Sequence, residues 1–195
     1  MLLKQRRFSL KIKRKLGVLH AAKALHNGRL LAHQTGTVAG IAGHPERSKA
    51  VEKMQRFKQR KGPFLLLADS VSSALAQARY ISPTLRKMAK DVWPGPVTLV
   101  FPAKHRLATA CYKRGAIAVR VDAAEESRYL AKQCGGFVLS SSLNRKKQPT
   151  MPLQRQQYRR FSAWLGAYLP ADSQPASQQA SQIYRISHTK IQRLR

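Results

Sequence analysis

Three short clusters hold the residues of this sequence that are able to do chemistry. They are the hydroxyls of Thr35 and Thr37 in the small, polar run Gln34–Gly40, the cations Lys58, Arg60 and Lys61, and the run Ser140-Ser141-Ser142-Leu143-Asn144. Two or three fixed cations beside hydroxyl and amide donors suit a polyphosphate whose charge shifts during phosphoryl or nucleotidyl transfer. Each cluster alone has an ordinary reading: a Lys/Arg run at a helix end is commonly a solvated, dipole-compatible cap, and serines after a strand are commonly a turn. Their placement argues for more. Each falls in a loop or at the end of a predicted element, and open α/β sheets bind ligands at the C-terminal edges of their strands.

The elements that must position these clusters follow from periodicity. Leu10, Ile12, Leu16, Leu19 and Ala22–Leu25 keep helical spacing, and Asn27-Gly28 supplies a left-handed stop, so a first helix ends near His26. Arg29–His33 reads as a short buried strand. Val51, Met54 and Phe57 predict a helix over Glu46–Phe57 whose exit delivers Lys58–Lys61. Phe64–Leu67 is strand-like, and Ser70–Tyr80 and Ser82–Val92 are helical, the second opening with a capping serine and a proline at its first position. Strands are predicted at Val97–Phe101, Ala116–Val121 and Phe137–Ser140, with a helix over Glu125–Lys132. This alternation predicts an α/β (α+β) fold, a twisted mixed open sheet with helices packed on it. One domain spans residues 10–195 behind a basic arm at 1–9. Within it, 170–182 reads as an exposed linker and 183–195 as a basic segment, either a docked strand pair or a loose tail. Tyr158, Phe161, Trp164 and Leu165 sit at helical spacing and read as one buried face, Trp93 as core, and His33 as a hydrogen-bonded structural histidine.

Charge narrows the partners. With 37 Lys and Arg against 8 Asp and Glu the chain carries +29, far beyond what solubility asks of a small domain, and nucleic acid is the polyanion that offsets such a surface. No acid precedes Glu46, while Lys4, Arg6, Arg7, Lys11, Lys13, Arg14 and Lys15 crowd the start. An RNA-binding arm is preferred to a mitochondrial transit peptide, because basic residues recur far downstream. Cys111 and Cys134 lie far apart with no CxxC and no histidine pair at ligand spacing, so neither a disulfide framework nor a protein-held metal is expected. No apolar stretch approaches the ~20 residues of a membrane span, and a cytoplasmic location is expected, with no membrane partner.

Taken together, Arg29–Gly40, Lys58-Gln59-Arg60-Lys61-Gly62, Trp93-Pro94-Gly95-Pro96-Val97-Thr98, Ala118-Val119-Arg120-Val121 and Ser142-Leu143-Asn144 resemble, in order and spacing, the YrdC/TsaC family. The resemblance spans roughly residues 10–150, with a weaker echo at Ser181–Ile183. It implies a YrdC-like domain that forms L-threonylcarbamoyladenylate from L-threonine, bicarbonate and ATP, releasing pyrophosphate, for threonylcarbamoylation of tRNA. Lys58 and Arg60 match the family's KxR pair and are the implied catalytic residues. Thr35, Thr37, Lys61, Arg120, Ser140, Ser142, Asn144 and Ser181 are the implied substrate and ATP contacts. Mg2+ is expected with ATP, held by phosphate oxygens and water. Partners implied are tRNA or double-stranded RNA and other proteins of the threonylcarbamoylation pathway.

The sequence also departs from the family. Where relatives carry Pro-Thr-Glu/Asp-Thr followed by Tyr or Phe before glycine, this chain has Gln34-Thr35-Gly36-Thr37-Val38-Ala39-Gly40, without proline, acid or aromatic ring. Lys61 directly follows Arg60 where a short insert is usual, and Leu143 replaces the commoner alanine between Ser142 and Asn144. The alternative is therefore a catalytically weakened member that binds structured RNA by charge and shape, for example in ribosome maturation.

Overall fold

Consecutive apolar residues in the central strands are explained by burial on both faces. The computed structural model describes residues 15–105, 107–150, 152–170 and 179–195. Ten strands form one mixed sheet: β1 (Leu30–His33), β2 (Gly40–Gly43), β3 (Leu65–Ala68), β4 (Val97–Pro102), β5 (Tyr112–Lys113), β6 (Ala116–Val121), β7 (Phe137–Ser142), β8 (Leu165–Leu169), β9 (Gln182–Ile186) and β10 (Ile191–Arg193). Their spatial order is β10-β9-β4-β6-β3-β7-β2-β1-β8, with β5 paired to β6.

Alternating side chains divide the core in two. Leu30, Ile41, Leu66 and Leu139 face a layer built by helices α2 (Ser48–Lys58), α3 (Val71–Ala76) and α4 (Pro83–Val92). Leu31, Ala42, Leu67 and Val138 face Val18, Ala21 and Leu25 of α1 (helical over 15–26) and Leu130 of α5 (Glu125–Gln133). The sheet is thus sandwiched between helices over β1, β2, β3 and β7. Over β4 and β6 the α1/α5 side is left open.

Local chemistry sets the helix ends. Ser82 Oγ accepts from Leu85 N–H at 3.1 Å, so α4 starts where its capping serine and proline place it. Gln59 takes a left-handed conformation (φ 51°) and ends α2, turning the chain so that Arg60 leaves the helix axis. Helix α3 is shorter than Ser70–Tyr80 predicts, because Ala78 bridges to Ala103 instead. Three strands depart from the sequence reading. Gly40–Gly43, of which only Gly40 falls in a predicted segment, the loop, is strand β2, Tyr112–Lys113 is the unpredicted β5, and Leu165, assigned to a helical face, opens β8 after the short helix α6 (Arg155–Arg160). Phe161 and Trp164 nevertheless pack edge-on against Phe57, with ring centroids 5.1 and 5.8 Å away. Trp93 is core, its Nε1 donating to Val97 O at 2.8 Å.

Ile183–Arg195 is a docked strand pair: β9 runs parallel to β4, with Thr98 opposite Ile183, and β10 pairs with β9. The predicted linker ends earlier than residue 182, since Ser181 is buried and Gln182 opens β9. The basic arm at 1–9 and linker residues 171–178 lie outside the described residues. Among the described residues, no helix is long and apolar enough to cross a membrane.

Candidate functional site

The open side of β4 and β6, with the C-terminal end of β7, becomes the floor of a cavity. In these strands Leu99 and Phe101, Val119 and Val121, and Leu139 turn into the core, so the alternate residues Thr98, Val100, Ala118, Arg120, Ser140 and Ser142 line a cavity of about 460 Å³. The site therefore lies on the sheet face rather than along the strands' C-terminal edge. Thr35 and Thr37 wall it on one side and Ser181 on the other, so the structure unites Thr35, Thr37, Arg60, Arg120, Ser140, Ser142 and Ser181 around one space.

The Thr35–Thr37 loop is held from within and from below. Thr35 Oγ1 donates to Val38 O (2.8 Å), accepts from Thr37 N–H (3.2 Å) and lies 3.0 Å from Thr37 Oγ1. Arg120 Nη1 donates to Thr37 Oγ1 at 2.8 Å. Beneath them sits Asp122, a residue the motif reading overlooks. One carboxylate oxygen accepts from Gly36 N–H (2.7 Å) and Ala124 N–H (2.8 Å), and the other ion-pairs with Arg120 Nη2 at 2.6 Å. Both side chains are buried, at 3% and 1% exposure, so this pair is shielded from water. Burial pulls the Arg120 guanidinium below its ordinary range, and Asp122 opposes that shift. A Cβ at Gly36 would stand 2.9 Å from the Asp122 carboxylate. The loop therefore has no side chain at Gly36, and the carboxylate of Asp122, just past the end of β6, fills the adjoining space. The available signal was Arg120-x-Asp122, a spacing of two that keeps the acid on the side of Arg120 as the strand ends.

Lys58 lies behind the end of the cavity that Ser142 lines. Its ammonium donates to Ser142 O (2.8 Å), Asn144 O (2.6 Å) and Asn144 Oδ1 (2.8 Å), and Ser142 Oγ is 3.4 Å away. Ser142 Oγ in turn donates to Asn144 Oδ1 at 2.5 Å. The KxR lysine and the SxN pair are thus one hydrogen-bonded unit, joining the exit of α2 to the end of β7. Burial, then the neighbouring Arg60 charge, brings Lys58 down to about 8. Arg60 is aimed by Pro63 O, which accepts from Nη1 at 2.7 Å, and by the Phe64 ring, 4.7 Å from its guanidinium carbon. Lys58, Lys61 and Asn144 do not line the cavity, the Lys58 ammonium being turned onto Ser142 and Asn144 instead. Lys61 is exposed beyond the helix cap, and Asn144 borders a second recess of about 310 Å³ with Arg145, Lys146 and Arg160.

The remaining wall comes from the β9–β10 pair. Thr98 Oγ1 and Ser181 Oγ lie 2.9 Å apart, and Arg195 donates to Ser181 O from Nε (3.0 Å) and Nη2 (2.9 Å). Arg185 and Arg195 line the cavity here, and Lys113 approaches from β5. The motif reading missed all three, because nothing in a basic tail distinguishes the cations that dock. Among the described lining residues are five cations and no carboxylate, a setting that fits a polyanion. His33, fully buried, sits under the loop with Nε2 3.4 Å from Ser140 Oγ, and burial lowers it to about 4. It is a neutral structural histidine.

Known proteins place this geometry in a family. The Sua5/YciO/YrdC family model, described as telomere recombination, matches residues 23–195. Threonylcarbamoyl-AMP synthase of Halorhodospira halophila is 34% identical over 134 residues, covering 65% of this chain and 68% of its own. The enzyme of the same name from Idiomarina loihiensis is 35% identical over 135 residues, covering 64% and 69%. The solved structure of P. abyssi Sua5 complexed with L-threonine superposes with a TM-score of 0.84 at 22% identity, over 93% of this chain and 54% of that one. The chain thus spans about half the length of that structure, and shares its fold. The family match over most of the sequence, on a mixed sheet that brings the KxR lysine and the SxN pair into one hydrogen-bonded cluster, shows that this chain belongs to the Sua5/YciO/YrdC family.

Proposed function

We propose that the chain is a threonylcarbamoyl-AMP synthase, joining L-threonine, bicarbonate and ATP into L-threonylcarbamoyladenylate with release of pyrophosphate, for transfer to tRNA. The observation that carries this reading is the cavity lining of five cations without a carboxylate. The neutral threonine amine attacks carbon dioxide with loss of a proton, or bicarbonate with loss of water, to give a carbamate. A carbamate oxygen then bonds to the α-phosphorus as the bond to the pyrophosphate oxygen breaks. Bicarbonate, the carbamate, ATP and pyrophosphate are all anionic, so preorganised cations and N–H or O–H donors stabilise charge where it develops. Lys58 and Arg60 are the catalytic cations. Arg120, Thr35, Thr37 and Ser140 form the inner wall for threonine and its carbamate, while Arg185, Arg195 and Ser181 face the nucleotide. With no Asp or Glu among the described lining residues, Mg2+ arrives on ATP and is held by phosphate oxygens and water. The basic surface serves tRNA and the partner proteins of the modification.

The test is threonine- and bicarbonate-dependent pyrophosphate release from ATP, compared with Arg60→Ala and Asn144→Ala. Release that depends on threonine and falls in both variants supports the synthase, and its absence in the wild type refutes it. One observation favours a second reading, an RNA-binding member with a weakened pocket. The Lys58 ammonium has three protons, and four oxygens of Ser142 and Asn144 already surround it. Such a protein binds structured RNA with a steep salt dependence yet releases no pyrophosphate.

A further inference from the structure

We infer that His26, His44 and Cys134 form a metal site for a borderline-soft divalent cation of the zinc type, separate from the synthase cavity. His26 closes α1, His44 follows β2, and Cys134 caps α5 just ahead of β7. The cavity draws on the other end of the same strands, where β1 finishes, β2 begins and β7 ends. One ligand atom from each of the three residues lies within 4.8 Å of the other two. Ligand atoms around tetrahedral zinc stand about 3.3–3.8 Å apart by the usual bond lengths, so closure needs a shift of roughly an ångström.

The surroundings fit such an ion. Two imidazoles and a thiol, without carboxylates, are the donor set that selects zinc over magnesium or calcium. His26 Nε2 lies 2.8 Å from Gln133 O, the kind of carbonyl contact that fixes a ligating imidazole's tautomer and leaves Nδ1 free for the metal. The two rings already approach with centroids 4.9 Å apart. His44 and Cys134 are buried while His26 is exposed, so the ion has an entry path and a fourth position open to water. Binding has costs that shape its behaviour. His44 Nδ1 accepts from Glu46 N–H at 3.2 Å, a long contact to be given up if Nε2 ligates. A ligating thiol must give up its proton to the solvent, so affinity rises with pH. The sequence hid this site because the fold, not spacing along the chain, brings residues 26, 44 and 134 together.

The test titrates Co2+ alone into the full reduced chain and follows the visible and near-ultraviolet spectrum. The expected result is one Co2+ per chain with a sulfur-to-cobalt charge-transfer band, displaced by Zn2+. Cys134→Ser abolishes the band, and His26→Ala, an exposed position that spares the fold, weakens binding at least tenfold. Zn2+ also raises the melting temperature of the wild type and not of His26→Ala, since the ion pins α1, β2 and α5 together. Absence of saturable binding overturns the site, as does binding that Cys134→Ser and His26→Ala leave unchanged. ATP turnover enters none of these readouts, so the result stands apart from the synthase reading.

Discussion

Replacing Asp122 by asparagine tests how the substrate loop is held. The substitution keeps one carbonyl oxygen for the Gly36 and Ala124 amides but turns a donor toward Arg120, whose guanidinium is only 3% exposed. Arg120 is left with a buried charge and no carboxylate. Breaking a buried ion pair from one side costs about 3–5 kcal/mol, against a total stability of about 5–15 kcal/mol for a domain. With a urea slope near 2 kcal/mol per molar, the unfolding midpoint drops by about 2 M. Equilibrium urea unfolding measures it, and Arg120→Met supplies the other arm of a double-mutant cycle. The double variant should cost less than the sum of the singles by at least about 1 kcal/mol, because both charges leave together. A loss below about 1 kcal/mol for Asp122→Asn, or strict additivity in the cycle, refutes the claim that Asp122 anchors the loop through Arg120.

Three further outcomes follow from Lys58 and Gly40. Lys58 is a cation below about 8, so ATP affinity should fall as pH rises through about 8, and Lys58→Met should remove that inflection in a calorimetric pH series. Stability moves the other way: the unfolded lysine keeps its proton to about 10.5, the unfolded state binds more protons between about 8 and 10.5, and the Lys58 contribution rises with pH across that window. A Cβ at Gly40 would stand 2.7 Å from His33 Nε2 and 3.3 Å from Ser140 Oγ, so Gly40→Ala must push His33 out of place. It should cost about 1–3 kcal/mol in thermal or urea unfolding, the range for overpacking a filled site.

Much of the framework was legible from sequence because period and punctuation agree. Ala116–Val121 alternates large apolar side chains with others, and Ser82-Pro83 caps and starts α4, so both elements fall where they are predicted. Strand β2 was illegible because Gly40-Ile41-Ala42-Gly43 has little strand propensity. Its glycines are there for space, since His33, Leu30 and Ala50 crowd them. Strand β8 was masked by Phe161 and Trp164, whose helical spacing from Tyr158 reflects packing on Phe57 rather than a continuing helix. At the site, Lys58, Ser142 and Asn144 were recognisable as motif residues, but their mutual hydrogen bonds depend on where α2 and β7 end. Asp122 and Arg195 escaped notice because each acts through a partner more than ten residues away in the chain, Asp122 on Gly36 and Arg195 on Ser181.

The wall formed by β9 and β10 has a dynamic meaning. Its Thr98–Ser181 contact joins residues 83 apart in the chain, and the pair forms one border of the sheet, with β10 outermost. Border strands have a neighbour on one side only and open locally at a lower free-energy cost than central ones. This wall of the pocket is therefore expected to loosen before the central strands. An anion bound between Arg120 on the floor and Arg185 and Arg195 on the wall ties the two together. Amide exchange in β9 then becomes a gauge of occupancy, slowing when the cavity is filled while the central strands stay unchanged.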